Sequence, residues 1–221
     1  QIRVPVSEAL VARRMDAVRV FARYQYALDP ATEVPDEQIC RRRYRPKEPN
    51  VFSQDQIRAL ITSSDILSPA FKALTWRTLI GLLAATGMRP GEACHLTLGD
   101  VDLANGVIDI IRTKFGKSRL VFIHASTATV VAQYLQARQD WVGNAARACP
   151  TVFVNSRRGP LNPVPLGVTF KRIVAAADLS IEAGHRPARL HDLRHTFAVR
   201  TMIDLYRDGG DVHARLPLLS T

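Results

Sequence analysis

Apolar residues recur every three or four positions through most of this chain and give way to short β-prone runs only near its middle. In residues 8–28, Val11, Met15, Val18 and Ala22 fall on one helical face, with Phe21 beside them. Ser7 can cap this helix, and Asp29-Pro30 ends it. A lone amphipathic helix cannot bury its own stripe, so it must pack on something. Ser53-Gln54-Asp55-Gln56 is a capping box ahead of Ile57, Leu60 and Ile61. Ser68-Pro69 opens the next helix, residues 79–86 form its apolar end, and Gly87 closes it. Pro90 then begins a short helix through His95, which leaves Arg89 at a helix–helix junction.

Asn105-Gly106 marks a turn before the apolar run 107–111, and a second β-prone run covers 119–124. Between them, residues 113–118 read as a hairpin tip carrying Lys114 and Lys117 around Gly116. Helical spacing returns over 127–141, 168–177 and 191–205, with a short strand at 151–154. The fold class expected is mainly α with a small antiparallel β-sheet (α+β). Residues 29–50 hold Pro30, Pro35, Pro46 and Pro49 and the run Arg41-Arg42-Arg43-Tyr44-Arg45. Proline at that density predicts an extended tether.

Composition adds a partner class to this outline. The chain has 221 residues and a formal net charge of +10. Arginine supplies 25 of its 30 cationic side chains. Guanidinium forks suit phosphate oxygens, and each phosphate contact releases counterions, so the balance favours a polyanion. The excess is spread through the chain rather than gathered in a tail. Residues 1–50 carry 10 basic and 7 acidic side chains, and residues 151–221 carry 10 and 6.

Cys40, Cys94 and Cys149 lie more than 50 residues apart, which argues against a disulfide framework and fits a reducing compartment. No CxxC pair suggests zinc. Cys94 reads as a small core residue. No apolar run reaches about 18 residues. A cytoplasmic protein without a membrane span, metal or cofactor is expected. Gln1 in place of an initiator methionine suggests that the sequence begins inside a longer one.

Four side chains, each in its own local signature, suit a site that holds one phosphodiester: Arg89 in TGMRPGEACHL, Lys114 in TKFGKSR, and His191 with Arg194 in HDLRHTF. Cutting a phosphodiester without a metal piles negative charge onto the non-bridging oxygens. Two guanidinium forks meet that charge bidentately and stay protonated. A lysine on a hairpin can protonate the leaving 5′ oxygen, and a histidine near neutrality can assist proton movement. A side-chain hydroxyl must attack to conserve the bond energy in a covalent intermediate. No serine triad or glycine-rich phosphate loop competes with this arrangement.

Taken in order, TGMRPGEACHLTLGDVD, TKFGKSRLVFIH and LHDLRHTFAVR resemble the leading boxes of the tyrosine recombinases, the phage-integrase family. The resemblance covers about residues 51–221, and the HxxR box with its following HTFA is its most specific part. It implies the tyrosine-recombinase catalytic fold for 51–221, an interdomain linker at 29–50, and at 1–28 the end of an N-terminal core-binding (SAM-like) helical domain. Carried over residue by residue, Arg89 and Arg194 become the phosphate clamp and Glu92 a structural carboxylate. Lys114 becomes the hairpin general acid, with Lys117 as substitute, and His191 the assisting histidine. Arg89, Lys114, Lys117 and Arg194 would touch DNA. His185, Arg186 and Arg189 are candidates for backbone phosphates.

The implied activity is site-specific DNA recombination through a 3′-phosphotyrosyl intermediate, on double-stranded DNA, by a homo-oligomer that forms a tetrameric synapse. The resemblance departs at the end. The family's later histidine or tryptophan box and its nucleophilic tyrosine do not occur before Thr221. Tyr206 follows Arg194 by only 12 residues on one predicted helix, about 18 Å away at 1.5 Å per residue. The expectation is therefore a C-terminally incomplete piece, incompetent for cleavage alone. The alternatives are a non-catalytic DNA-binding remnant or decoy and, more distantly, a type IB topoisomerase-like nicking enzyme.

Overall fold

The computed structural model describes residues 8–40, 48–111, 118–143, 149–179 and 186–209. It divides into two units, residues 1–47 and 48–221.

The first unit is built on α1 (Glu8–Leu28). Its buried face shares only Ala22, and the half-buried Met15, with the predicted stripe. Ala12, Arg19 and Ala22 are buried, whereas Val11, Val18 and Phe21 are exposed. Arg19 explains the change. Its Nε and Nη2 donate to the Asp36 carbonyl at 3.2 and 2.8 Å, Nη2 also reaches the Ile39 carbonyl, and Nη1 pairs with the Asp16 carboxylate at 3.0 Å. Carbonyls are good guanidinium acceptors, so the charge is buried with its donors matched. Residues 36–39 thus fold back onto α1, where an extended tether was expected. The basic run 41–45 lies outside the described residues.

The second unit is organised around α3 (Ala70–Thr86), which packs against α2 (Gln54–Ser63), α5 (Ala125–Val142) and α7 (Asp192–Arg207). Burial on several sides explains its nearly continuous apolar composition: Trp76, Leu79, Ile80, Leu82 and Leu83 are all buried. The capping box of α2 forms as predicted. Gln56 N donates to Ser53 Oγ at 3.1 Å, and Ser53 N donates to Gln56 Oε1 at 2.8 Å. Phe71 stacks on Trp141 and Tyr134, with ring centroids 4.9 and 5.8 Å away, and ties the start of α3 to α5. Cys94 is buried as expected, and burial raises its thiol pKa to about 11.

The sheet has three antiparallel strands in the order β1 (Val101–Asp102), β2 (Val107–Ile110), β3 (Arg119–Phe122). Strand β1 has only two residues, too few for period-two alternation to show in sequence. The β2–β3 register pairs Val107 with Phe122 and Ile110 with Arg119. Gly106, at φ 66°, makes the predicted turn into β2. Residues 112–117 lie outside the described set. The strand expected at 151–154 is reduced to two isolated bridges, Thr97 with Thr151 and Val154 with Pro160. The buried Arg138 holds this segment instead, donating to the carbonyls of Thr151 at 3.0 Å and Cys149 at 2.6 Å. The remaining helices are α4 (Pro90–His95) and α6 (Leu166–Ala176). Among the described residues no helix is long and apolar enough to cross a membrane.

Candidate phosphate-binding site

Helix α3 ends at Gly87, in the left-handed region at φ 62°. A Cβ there would lie 2.3 Å from the Phe197 ring on α7, so only glycine allows the two helices to approach at this point. Thr86 Oγ1 donates back to the Leu82 carbonyl at 2.7 Å and accepts from Met88 N at 3.3 Å. The backbone that leads into Arg89 is thus set by helix termination, packing and a side-chain cap together.

Arg89 precedes α4, and Glu92 closes back on it. Arg89 N donates to Glu92 Oε2 and Arg89 Nη1 to Glu92 Oε1, both at 2.8 Å. A second guanidinium reaches the same carboxylate from β3: Arg119 Nη2 to Oε2 at 2.7 Å and Nη1 to Oε1 at 3.2 Å. The third comes from α7. Arg194 Nη1 donates to the Gly87 carbonyl at 2.6 Å. Two arginines thus bind one carboxylate, and the third lies near enough to feel its charge and theirs.

The electrostatics follow from that count. Burial alone would raise the Glu92 pKa, but the Arg119 hydrogen bonds, the Arg89 backbone and side-chain bonds and the Arg119 charge overcome it and hold the carboxyl at about 2. Burial, then the charges of Arg89 and Arg119, lower the Arg194 pKa against the opposing pull of Glu92. Arginine stays protonated through such a shift, so the cluster keeps a surplus of positive charge. Arg89 and Arg194 are each held through one Nη1. Among the described residues the other Arg194 donors have no protein acceptor. A phosphate would supply both the missing charge and the missing acceptors.

His191 immediately precedes α7, and Arg194 N donates to its carbonyl at 3.1 Å. Arg89, Glu92 and His191 line one depression of about 420 Å³, and Arg119, Gly87 and Arg194 line a neighbouring one of about 350 Å³. His191 and Arg194, three residues apart, each line one of these two hollows. Packing, then the charges of His195 and Arg194, lower the His191 pKa below 6.5, with Asp192 opposing. The rings of His191 and His195 meet edge to face at 4.9 Å.

The start of α7 is held by Asp192, which is fully buried. It accepts from Arg189 N at 2.9 Å, Asn50 Nδ2 at 3.0 Å and Arg186 Nη1 at 3.2 Å, and pairs with Arg186 Nη2. Arg186, a candidate for DNA backbone contact, is thus engaged inside the fold because a buried carboxylate requires a counter-charge. His185, Lys114 and Lys117 lie outside the described residues. Tyr206 sits on the same continuous helix as Arg194 and is 79% exposed.

Arg119 was not singled out in the sequence. The alternation of Arg-Leu-Val-Phe would have put Leu120 and Phe122 inward; in the fold residues 119 and 121 are half-buried while 120 and 122 are exposed. An arginine on the inward face of a short strand requires a partner.

Residues 50–214 match the phage integrase family. The chain belongs to that family. A Sinorhizobium fredii (strain NBRC 101917 / NGR234) protein named as an integrase/recombinase, y4rB, is 36% identical over 215 residues, which cover 95% of this chain and 68% of the relative. The tyrosine recombinase XerC of Lactobacillus delbrueckii subsp. bulgaricus (strain ATCC BAA-365 / Lb-18) is 27% identical, over 97% of this chain and 68% of its own length. The chain thus spans about two thirds of these relatives. The crystal structure of XerH site-specific recombinase bound to palindromic difH substrate, a post-cleavage complex, superposes with a TM-score of 0.64 at 23% identity, over 92% of this chain and 56% of that one. It shares the fold. By family the chain is a site-specific recombinase of the tyrosine type.

Proposed function

We propose that this chain binds double-stranded DNA and activates one phosphodiester for strand exchange, the recombinase's tyrosine attacking phosphorus while the bond to the 5′ oxygen breaks. Arg89 and Arg194 clamp the non-bridging oxygens, Glu92 orients Arg89, and His191 assists proton movement. Lys114, or Lys117 in its place, protonates the leaving 5′ oxygen. Residues 51–221 form the catalytic domain, with 29–50 as linker and 1–28 as the end of a core-binding domain. The protein works as a homo-oligomer on DNA in the cytoplasm. The observation that carries this reading is the surplus of positive charge where Arg89 and Arg119 bind the single carboxylate of Glu92 and Arg194 lies within their electrostatic reach.

The test incubates the full-length protein with a randomised duplex library and selects covalent protein–DNA adducts. Adducts at a defined sequence are expected. Arg194→Ala should reduce adduct formation about 10²–10³-fold, the loss of one transition-state donor, with DNA affinity largely kept. Duplex binding without any adduct would favour the non-catalytic module. An Arg194→Ala protein that cleaved at the normal rate would remove Arg194 from the clamp.

A further inference from the structure

Arg119 opens β3, paired with Ile110 at the end of β2, and the stretch of sequence between these two residues contains Lys114 and Lys117. Its guanidinium meets both oxygens of Glu92, at 2.7 and 3.2 Å. The fork that would bind a phosphate bidentately is therefore engaged by protein. Its side chain is 19% exposed, against 39% for Arg89, which places Arg119 behind the clamp rather than on its open face. Glu92 in turn fixes Arg89 at two points, backbone and side chain.

Resting on the function proposed above, we infer that Arg119 is a positioning residue for strand cleavage: through Glu92 it holds the Arg89 guanidinium in register and ties the start of β3 to the same carboxylate. The carboxylate transmits position only while ionised, because a protonated Glu92 gives up an acceptor site and the charge that draws both forks. The charged groups nearest it are Arg89 at the start of α4, Arg119 on β3 and Arg194 on α7; His95, Asp100, Asp109 and His191 line the same hollow as Glu92. Arg119 heads the influences that keep Glu92 ionised. Removing its charge while keeping its apolar stem should let Glu92 take up a proton in the mildly acidic range where cleavage is still measurable.

The experiment compares full-length wild type, Arg119→Met and Arg119→Lys on a duplex recovered by adduct selection. At saturating DNA, Arg119→Met should cleave about 10–100-fold more slowly at pH 7, with its Kd for DNA changed less than about threefold. Its deficit should deepen as pH falls, because loss of an opposite charge shifts a carboxyl upward by about 1–3 units. Arg119→Lys, which restores the charge without the fork, should recover the wild-type acid limb but only part of the rate. Carboxyl-carbon NMR should show Glu92 titrating at higher pH in Arg119→Met than in wild type. A Met variant whose loss was the same at every pH, or whose Glu92 titrated as in wild type, would overturn the inference. If wild type forms no adduct, the proposed function itself fails, and the NMR titration still reports on the Arg119–Glu92 link.

Discussion

Two carboxylates in the second unit use the same local device to opposite ends. Each accepts from a backbone amide three residues earlier, Arg89 N to Glu92 and Arg189 N to Asp192. Each also receives a guanidinium, Arg119 or Arg186, through both terminal nitrogens. The difference lies in what surrounds them. Asp192 is sealed, and a single arginine and the Asn50 amide complete its shell. Glu92 lies beside open hollows, carries a second arginine and has a third nearby. A matched buried pair specifies structure, whereas a cation surplus open to solvent leaves positive potential and free donors for an anion.

The contrast breaks most visibly at Asp192. Asp192→Ala leaves Arg186 buried without its counter-charge, and loss of about 3–5 kcal/mol in urea unfolding is expected. A loss below about 1 kcal/mol would show that the sealed network is not what anchors α7. Glu92→Gln should cost somewhat less, about 3 kcal/mol at pH 7, from a carboxyl pKa of about 2 against 4.5 unfolded. A depressed carboxyl stabilises the fold above its unfolded pKa, so the gap between wild type and variant should narrow below pH 4.5 and close near pH 2. Equal stability of the two proteins at neutral pH would contradict the ionised, doubly held carboxylate.

The smallest effect falls on His191, beside the cation surplus. Its NMR titration should lie below 6.5, and His195→Ala should move it upward by removing one of the charges that oppose the proton. Since the fold disfavours this proton, stability should decline slightly as pH falls through 6.5. A His191 midpoint that ignored His195 would mean that the edge-to-face contact at 4.9 Å carries no electrostatic coupling.

Much of this was legible before any coordinates. The capping box at Ser53 and the stop at Gly87 rest on local hydrogen bonds and on φ, which a few neighbouring residues determine. Arg89 and Arg194 stood out because each sits in a dense local signature. Where sequence reading failed, distant groups decided. The α1 stripe held only at Ala22 and, in part, Met15; hydrophobic periodicity cannot foresee that carbonyls of residues 36–39 will bury Arg19. Arg186 passed for a DNA contact because its partner, Asp192, needs the fold to become sealed.

By itself the chain determined most of its helix ends and its turn glycines, since each depends on residues within one or two turns of one another, and composition alone gave its positive charge. Only the tertiary structure decided which cation serves the ligand and which serves the protein. Arg119 on β3 and Glu92 on α4 lie 27 residues apart, and chain spacing says nothing of a meeting across two elements. Electrostatic roles are set by distance and burial, and both come into being only when the elements pack.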